Sequence, residues 1–266
     1  MLKDITLGQY FPGSSPVHRL DPRTKLLILI LYIVTIFTAS ELLPCLLCLA
    51  ALTAAVALSR IPAKMMLKSL KPIIFIVIFT GLLNMLYTPG RELVRFWIFR
   101  VTEEGIRSAV LMTVRILLLV ASTALLTYTT SPMALTDALE SLLNPLKKLH
   151  IPVHEFAMMM SIALRFVPTL IEETDKIMSA QKARGADFET GNLLRRAKAL
   201  IPVLVPLFIS AFRRADELAT AMECRLYHGG SGRTRLHTLR YGRADLYGGL
   251  LSLVICGGAI ALNILL

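Results

Sequence analysis

Long apolar runs separated by short polar segments dominate the first half of the chain. The first run covers residues 26–39 and the second covers residues 42–58, with only Ser40 and Glu41 between them. Because a bilayer core needs roughly 20 helical residues, these slightly short runs predict a helical hairpin with a tight outer turn, or alternatively a single re-entrant pair. Similar runs predict further spans at about residues 72–87, 108–128 and 246–266.

The segment before the last of these runs has a different pattern. From residue 129 to residue 245 charged residues are more frequent and apolar residues recur at helical spacing. We predict a cytoplasmic or interfacial helical domain with helices at about residues 134–149, 153–184 and 193–227. The predicted organisation is an N-terminal cytoplasmic segment (1–25), four transmembrane helices (26–128), this helical domain (129–245) and a C-terminal transmembrane helix (246–266).

Composition supports lipid as the solvent of this chain. Of its 266 residues 55% are hydrophobic and 18% are charged, and the mean hydropathy is +0.64. Since helices satisfy their own backbone hydrogen bonds in hydrocarbon, we expect an all-α polytopic membrane protein with about five transmembrane helices. The net charge of +11 does not indicate nucleic acid, because most Lys and Arg residues flank apolar runs without interleaved aromatic residues.

Basic residues beside the first spans predict the orientation of the chain. Arg19, Arg23 and Lys25 precede the first run, and the linker at residues 59–71 is also basic, so the positive-inside rule places the N-terminus in the cytoplasm. The segment before the first run lacks the apolar core of a cleavable signal, so we expect the first helix to act as the targeting signal. The outer loop at residues 91–107 is basic against this rule, and we expect a short amphipathic or hairpin segment there.

Two stretches of the helical domain repeat each other at an offset of about 41 residues. Each is predicted to be the C-terminal turn of an amphipathic helix that carries an arginine beside a small residue. Such an end is suited to docking, because arginine offers a planar fork of donors and small neighbours allow close approach. The alternative is that arginine only favours a helix C-terminus through the dipole, worth about 0.3–1 kcal/mol. The matched pairs are Asp175 with Asp216, Ile177 with Leu218, Ala180 with Ala221, and Arg184 with Arg225.

Several motifs resemble those of the T component of energy-coupling factor transporters. The stretch QYFPGSSPVHRLDPRTK from Gln9 to Lys25 is similar to the opening signature of that family. ALRFVP from Ala163 to Pro168, followed by AQKARG from Ala180 to Gly185, resembles the central signature. AMECRLY from Ala221 to Tyr227 resembles the second Ala-Arg-Gly-type motif. The resemblance follows the family's order over nearly the whole chain.

The resemblance implies a coupling subunit of an ATP-driven importer in a bacterial or archaeal cell membrane. In that family the T component joins two ATP-binding subunits to a membrane-embedded S component, which recognises a vitamin or a transition-metal ion. ATP and magnesium would bind the partner ATPases, and no cofactor is expected on this chain. The implied docking motifs are Ala183, Arg184 and Gly185, and Cys224, Arg225 and Leu226, of which the second departs from the pattern at both flanks of its arginine. Pro168, Pro202 and Pro206 are predicted sites of helix bends.

A conventional ABC permease subunit and a membrane-embedded enzyme are alternative interpretations of the chain. A conventional ABC permease subunit also presents a short helix to an ATPase, but it normally offers one such loop per chain, so the duplicated ends favour the coupling subunit. A membrane-embedded enzyme is less consistent, because Pro152 disrupts the helix that would align His150 and His154 on one metal ion. The sequence also contains no G-x-x-x-x-G-K-[ST] phosphate loop. We therefore expect a non-catalytic subunit.

Overall fold

The computed structural model describes residues 10–96, 99–188, 190, 192–229 and 239–265, and these residues are predominantly helical. The all-α class predicted from the sequence is confirmed, with one short β-hairpin in addition. The helices are α1 (Pro22–Thr38), α2 (Leu42–Ser59), α3 (Ala63–Leu70), α4 (Ile74–Tyr87), α5 (Glu103–Thr129), α6 (Pro132–Leu143), α7 (Val153–Ala183), α8 (Leu193–Cys224) and α9 (Arg243–Leu265). Two 3₁₀ turns, Lys71–Ile73 and Asn144–Leu149, and strands β1 (Glu92–Phe96) and β2 (Phe99–Thr102) complete the described elements.

Contacts divide the chain into two compact units. The described residues within Gly8–Ala138 and Thr238–Leu266 form the first, here called the membrane unit. Those within Leu139–His237 form the second, here called the α7/α8 unit.

Four helical segments of the described chain are long and apolar enough to cross a membrane: Leu42–Ser59, Ala63–Tyr87, Glu103–Thr129 and Arg243–Leu265. All four lie in the membrane unit and match predicted spans. The remaining predicted span, α1, is a helix of 17 residues. It is short because Asp21 and Pro22 start it and Ser40 and Glu41 separate it from α2.

The core of the membrane unit forms where α1, α2, α5 and α9 pack together. Ile36, Cys48, Leu118 and Cys256 are almost fully buried there. Arg115 of α5 is a charged residue inside a predicted span, and its Nη2 donates to the Ala39 carbonyl oxygen at 2.6 Å. This bond satisfies an orphan carbonyl at the end of α1, so the charge also caps a helix.

The basic outer loop contains the two-stranded hairpin. Strands β1 and β2 pair antiparallel, with Val94 opposite Val101 and Phe96 opposite Phe99. Thr102 then caps α5, since its Oγ1 accepts a hydrogen bond from the Gly105 N–H at 3.0 Å. The sequence had left an amphipathic or a hairpin segment open, and the described residues form the hairpin. Trp97 and Ile98, which come between the two strands in the sequence, lie outside the described residues.

A carboxylate on α9 joins the start of α9 to the start of α1. Asp245 Oδ1 accepts the Asp21 N–H at 2.6 Å, and its Oδ2 accepts the Gly242 N–H at 2.7 Å. Asp21 in turn caps α1 by accepting the Arg23 N–H at 2.9 Å, and its carboxylate pairs with the Arg23 guanidinium at 3.0 Å. Burial opposes ionisation of Asp21, but the hydrogen bonds and charge of Arg23, with the charge of Lys25, hold its pKa below the ordinary value.

Lys25 joins the same end of α1 to the end of α5. Its Nζ is buried and donates to the Thr129 carbonyl oxygen at 2.9 Å and to the His18 carbonyl oxygen at 3.2 Å. The N-terminal segment is held by a further bond, from the Phe11 N–H to the Tyr128 carbonyl oxygen at 2.9 Å. These polar contacts bring the chain before α1, the C-terminal end of α5 and the N-terminal end of α9 together at one end of the membrane unit.

Candidate docking site at two equivalent helix ends

Helix α7 ends in a turn that exposes an arginine. The Gly185 N–H donates to the Lys182 carbonyl oxygen at 3.0 Å, and the Ala186 N–H reaches back five residues to the Gln181 carbonyl oxygen at 3.0 Å. Gly185 has a φ of +87°, the left-handed conformation that glycine adopts without steric cost. This is a Schellman-type termination, and it places Arg184 at the C-cap of α7.

Helix α8 ends in the same way, 41 residues later. The Leu226 N–H donates to the Glu223 carbonyl oxygen at 2.8 Å, and the Tyr227 N–H reaches back to the Met222 carbonyl oxygen at 3.1 Å. Arg225 is the C-cap, and Leu226 has a φ of +55°. The repeat noticed in the side chains therefore extends to the hydrogen bonds and the backbone conformation.

The two ends differ in the residue that takes the left-handed conformation. At the first end it is a glycine, and a Cβ added there would meet nothing within 4 Å. At the second end it is Leu226, for which that conformation costs about 1–2 kcal/mol. The sequence predicted that α8 would extend to about residue 227, but the helix ends at Cys224 with its C-cap at Arg225, because the termination repeats that of α7.

Both arginine side chains point away from the packed surface. Arg184 and Arg225 are exposed, as are the small residues Ala183 and Cys224 that precede them. Within the part of the chain that the structure describes, neither guanidinium forms an ion pair. The arrangement leaves all five donors of each guanidinium able to bind an acceptor on another molecule.

Polar contacts show that α7 and α8 pack in opposite directions. Glu173 Oε2 of α7 lies 2.8 Å from Arg214 Nη2 of α8, and this ion pair is partly buried. Further toward the end of α7, Gln181 Nε2 donates to the Pro202 carbonyl oxygen of α8 at 3.5 Å. The contacts thus move toward the start of α8 as α7 proceeds to its end.

The antiparallel packing separates the two arginine ends. Arg184 follows Gln181 by one turn, and Gln181 contacts Pro202. Arg225 lies at the far end of α8, which extends about 35 Å beyond Pro202 at roughly 1.5 Å per residue. The two ends are therefore at opposite ends of the helix pair, too far apart to contact the same small groove.

Apolar side chains complete the packing between the two helices. They leave a cavity of about 270 Å³, lined from α7 by Ile162, Phe166 and Leu170 and from α8 by residues that include Leu218 and Met222. The cavity also contacts Arg214, whose guanidinium pairs with Glu173. The Glu173 and Arg214 ion pair thus lies beside an incompletely filled apolar contact between the two helices.

The predicted bend residues lie within continuous helices. Helix α7 runs through Pro168, and α8 runs through Pro202 and Pro206. Because Pro206 has no N–H, the carbonyl of Pro202 has no intrahelical donor four residues later. Gln181 supplies a donor to that carbonyl from α7. A bend at any of these prolines stays a prediction.

The histidines weighed for an enzyme lie on different elements. His150 follows the Asn144–Leu149 turn with a φ of +60°, whereas His154 lies in the first turn of α7. His154 Nδ1 is 2.9 Å from Glu140 Oε1, so its nearest polar partner is a carboxylate and not the other histidine. Among the described residues, no group of three or more His, Cys, Asp or Glu side chains is placed to hold a metal ion.

Sequence reasoning missed three of the polar contacts described above. Arg214 and Glu173 were not paired, because nothing in either helix indicates which faces meet. Gln181 was quoted only as part of a motif, and Asp245 was assigned no role. The available signal for Asp245 was an acidic residue in the first turn of an otherwise apolar helix, which usually indicates a capping or pairing function.

Known proteins with similar sequences cover nearly the whole chain. A family model described as CbiQ, cobalt transport protein, matches residues 13–236. The energy-coupling factor transporter transmembrane protein EcfT of Acidaminococcus fermentans is 52% identical over 96% of this chain and 95% of its own length. The protein of the same name from Ruminiclostridium cellulolyticum is 53% identical over 92% of this chain and 92% of its own length. That from Bacillus subtilis is 50% identical over 90% of this chain and 91% of its own length.

These matches extend across both units and include both helix ends that carry the exposed arginines. Identity near one half over nine tenths or more of each chain leaves no large part of either sequence unmatched. The chain therefore belongs to the CbiQ family, together with the EcfT transmembrane proteins of energy-coupling factor transporters.

Proposed function

We propose that this chain is the transmembrane coupling subunit of an energy-coupling factor importer. It would transmit ATP-driven motions of two ATPase subunits to a membrane-embedded S component that takes up a vitamin or a transition-metal ion. The observation that carries the proposal is the pair of matched C-terminal turns of α7 and α8, each with an exposed arginine. Because the helices are antiparallel, these two turns lie at opposite ends of the helix pair. Two equivalent ends are suited to two equivalent grooves, one on each ATPase.

The chemistry of each end supports docking on a protein groove. The guanidinium of Arg184 or Arg225 can bind a carboxylate through two parallel hydrogen bonds, and the small residue before it allows close approach. In a partly desolvated interface, removing one partner of such a pair costs about 2–5 kcal/mol. An exposed pair would contribute only about 0–1 kcal/mol, so the proposal requires that the groove exclude water from the arginine.

The packing between α7 and α8 supports transmission of motion. The Glu173 and Arg214 ion pair and the Gln181 contact with Pro202 join the two helices at two levels. A displacement of the α7 end by one ATPase would therefore move α8 as well. Pro168, Pro202 and Pro206 are proposed as the points at which the helices bend during this motion.

The proposed subunit is non-catalytic, and ATP and magnesium would bind the two ATPase partners. It would lie in the cell membrane of a bacterium or archaeon as a multi-pass protein. Arg19 just before α1, with Arg23 and Lys25 in its first turn, supports a cytoplasmic N-terminus. The α7/α8 unit would then be on the cytoplasmic side, where the ATPases are.

Co-purification in mild detergent tests the docking role. The tagged chain is expressed with its ATPases, and the double variant Arg184→Ala with Arg225→Ala is compared with wild type. We expect wild type to retain two ATPase copies and the double variant to lose both. In each single variant one of the two ATPase copies should be bound more weakly, because the two ends bind different subunits.

A matched control separates docking from general loss of charge. Arg213 is exposed near the middle of α8 and away from both helix ends, so the double variant Arg213→Ala with Lys176→Ala removes two charges and should retain both ATPases. Circular dichroism and size exclusion establish that each variant is folded. If the Arg184 and Arg225 double variant keeps its ATPases and still supports uptake, the arginines are only helix caps and the proposal is wrong.

A further inference from the structure

The segment Ala63–Tyr87 presents basic and apolar residues in succession along one face. Lys64, Lys68 and Lys71 follow one another at spacings of four and three residues, which places them on the same side of a helix. Phe75 and Phe79 continue the series at spacings of four. The three lysines, Phe75 and Phe79 are all exposed, and they are here called the Lys-Phe stripe.

The opposite face of α3 packs against the membrane unit. Met66 is buried, and the Tyr128 hydroxyl at the end of α5 donates to the Met65 carbonyl oxygen at 3.3 Å and lies 2.5 Å from Ser69 Oγ. Helix α3 is thus held at the same end of the membrane unit as Lys25, which bonds to Thr129. The Lys-Phe stripe is the face left outward by this packing.

The stripe carries uncompensated positive charge. No Asp or Glu occurs in the sequence between Glu41 and Glu92. Arg60, Lys64, Lys68 and Lys71 form no ion pair with any residue that the structure describes. An anion bound here would therefore meet attraction from several cations without a competing carboxylate on the same segment.

The apolar half of the stripe indicates what kind of anion fits. Phe75 is 77% exposed, and its ring is stacked on that of Phe79, with centroids 6.5 Å apart and planes within 6°. These rings lie within a segment long and apolar enough to cross a membrane, so their exposed faces meet acyl chains. Lys71 precedes Phe75 by about one turn, and Lys68 and Lys64 lie one and two turns farther toward the start of α3. This basic end of the span is placed at the depth of lipid headgroups, where long basic side chains reach phosphate.

We infer that the Lys-Phe stripe is a binding surface for anionic phospholipid, with the headgroup phosphate at Lys64, Lys68 and Lys71 and the acyl chain along Phe75 and Phe79. Free phosphate would use only the lysines and would leave the exposed rings without a partner. The inference is independent of the docking role of Arg184 and Arg225.

Lipid retention in nanodiscs tests this surface. The full chain is reconstituted in an equal mixture of phosphatidylglycerol and phosphatidylcholine, released, and the retained lipids are measured by native mass spectrometry. We expect wild type to retain phosphatidylglycerol preferentially. The triple variant Lys64→Gln, Lys68→Gln and Lys71→Gln should lose this preference, by about fivefold for each lysine removed.

Two further variants make the result specific. The triple replacement of the same lysines by arginine preserves the charge and should preserve the preference. Replacement of Lys147, Lys148 and Lys198 by glutamine removes three exposed charges elsewhere and should leave the preference unchanged. A folded triple glutamine variant that retains the two lipids in the wild-type ratio overturns the inference. A second result also overturns it: the wild-type chain shows no lipid preference, and the triple glutamine variant loses a membrane protein partner. The Lys-Phe stripe is then a protein interface.

Discussion

The left-handed residues at the ends of α7 and α8 allow a reciprocal test of the two terminations. Gly185 has a φ of +87°, and nothing lies within 4 Å of an added Cβ. The change Gly185→Ala therefore adds no steric clash, and its cost is the left-handed conformation itself, about 1–2 kcal/mol. Leu226 already bears this cost at a φ of +55°. The change Leu226→Gly removes it.

The change in stability caused by Leu226→Gly has two opposing contributions. Glycine relieves about 1–2 kcal/mol of backbone strain but adds about 0.5–1 kcal/mol of conformational entropy to the open state. The loss of packing is small, because the Leu226 side chain is 76% exposed. The net effect is a stabilisation of about 0–1.5 kcal/mol. The two substitutions should therefore change local stability in opposite directions.

Hydrogen exchange measures this local stability directly. The Ala186 N–H and the Tyr227 N–H each donate to a carbonyl five residues earlier, so exchange at these amides reports opening of the two turns. We expect Gly185→Ala to accelerate exchange at Ala186 by about fivefold to thirtyfold, the equivalent of 1–2 kcal/mol. Leu226→Gly should leave exchange at Tyr227 unchanged or slow it by up to about tenfold.

Gly257 provides the control for the first of these changes. It lies in α9 without a positive φ, and an added Cβ there meets nothing within 4 Å. Gly257→Ala should therefore leave exchange at Ala186 unchanged. Unaltered exchange at Ala186 in Gly185→Ala would refute the assignment of a shared left-handed termination. The same holds if Leu226→Gly accelerates exchange at Tyr227 as much as is expected at Ala186 in Gly185→Ala.

Two further predictions concern ion pairs in the separate units. Glu173→Arg and Arg214→Glu each place two like charges in contact, so each should lower the free energy of unfolding of the purified chain by about 1–2 kcal/mol in thermal unfolding. The double exchange should recover most of this loss. If it recovers none, the pair does not form. The depressed pKa of Asp21 contributes stability that is complete above its unfolded value of about 3.8 and is lost as pH falls through the lower folded value. Asp21→Asn should therefore destabilise the chain at neutral pH and flatten its acid unfolding profile followed by circular dichroism, and an unchanged profile would contradict this cause.

Much of the secondary structure could be predicted because local patterns decide it. Helix α7 begins at Val153 and α8 at Leu193, both as predicted, since Pro152 and the polar segment before α8 interrupt the apolar spacing. The predicted C-terminal ends of the helices were less accurate. Residues 144–149 form a 3₁₀ turn and not the end of an α-helix, because Asn144 and Pro145 interrupt α6.

The basic outer loop shows where local patterns were ambiguous. Its sequence was compatible with a short amphipathic segment or a hairpin, and the pairing of β1 with β2 decides between them. Pairing across a turn depends on two segments at once, so neither segment determines it alone.

The class of the protein, its apolar spans and the offset of 41 residues between two arginine motifs could all be predicted from the sequence. These features depend on composition, periodicity and identity along the chain, which are read without knowledge of contacts. Which residues contact one another depends on how the helices pack in the folded chain. Only packing pairs Glu173 with Arg214, brings Asp245 to Asp21, and separates Arg184 from Arg225 by the length of an antiparallel helix pair. Each of these features depends on which helices lie side by side, and helical periodicity contains no information on which helix will lie beside another.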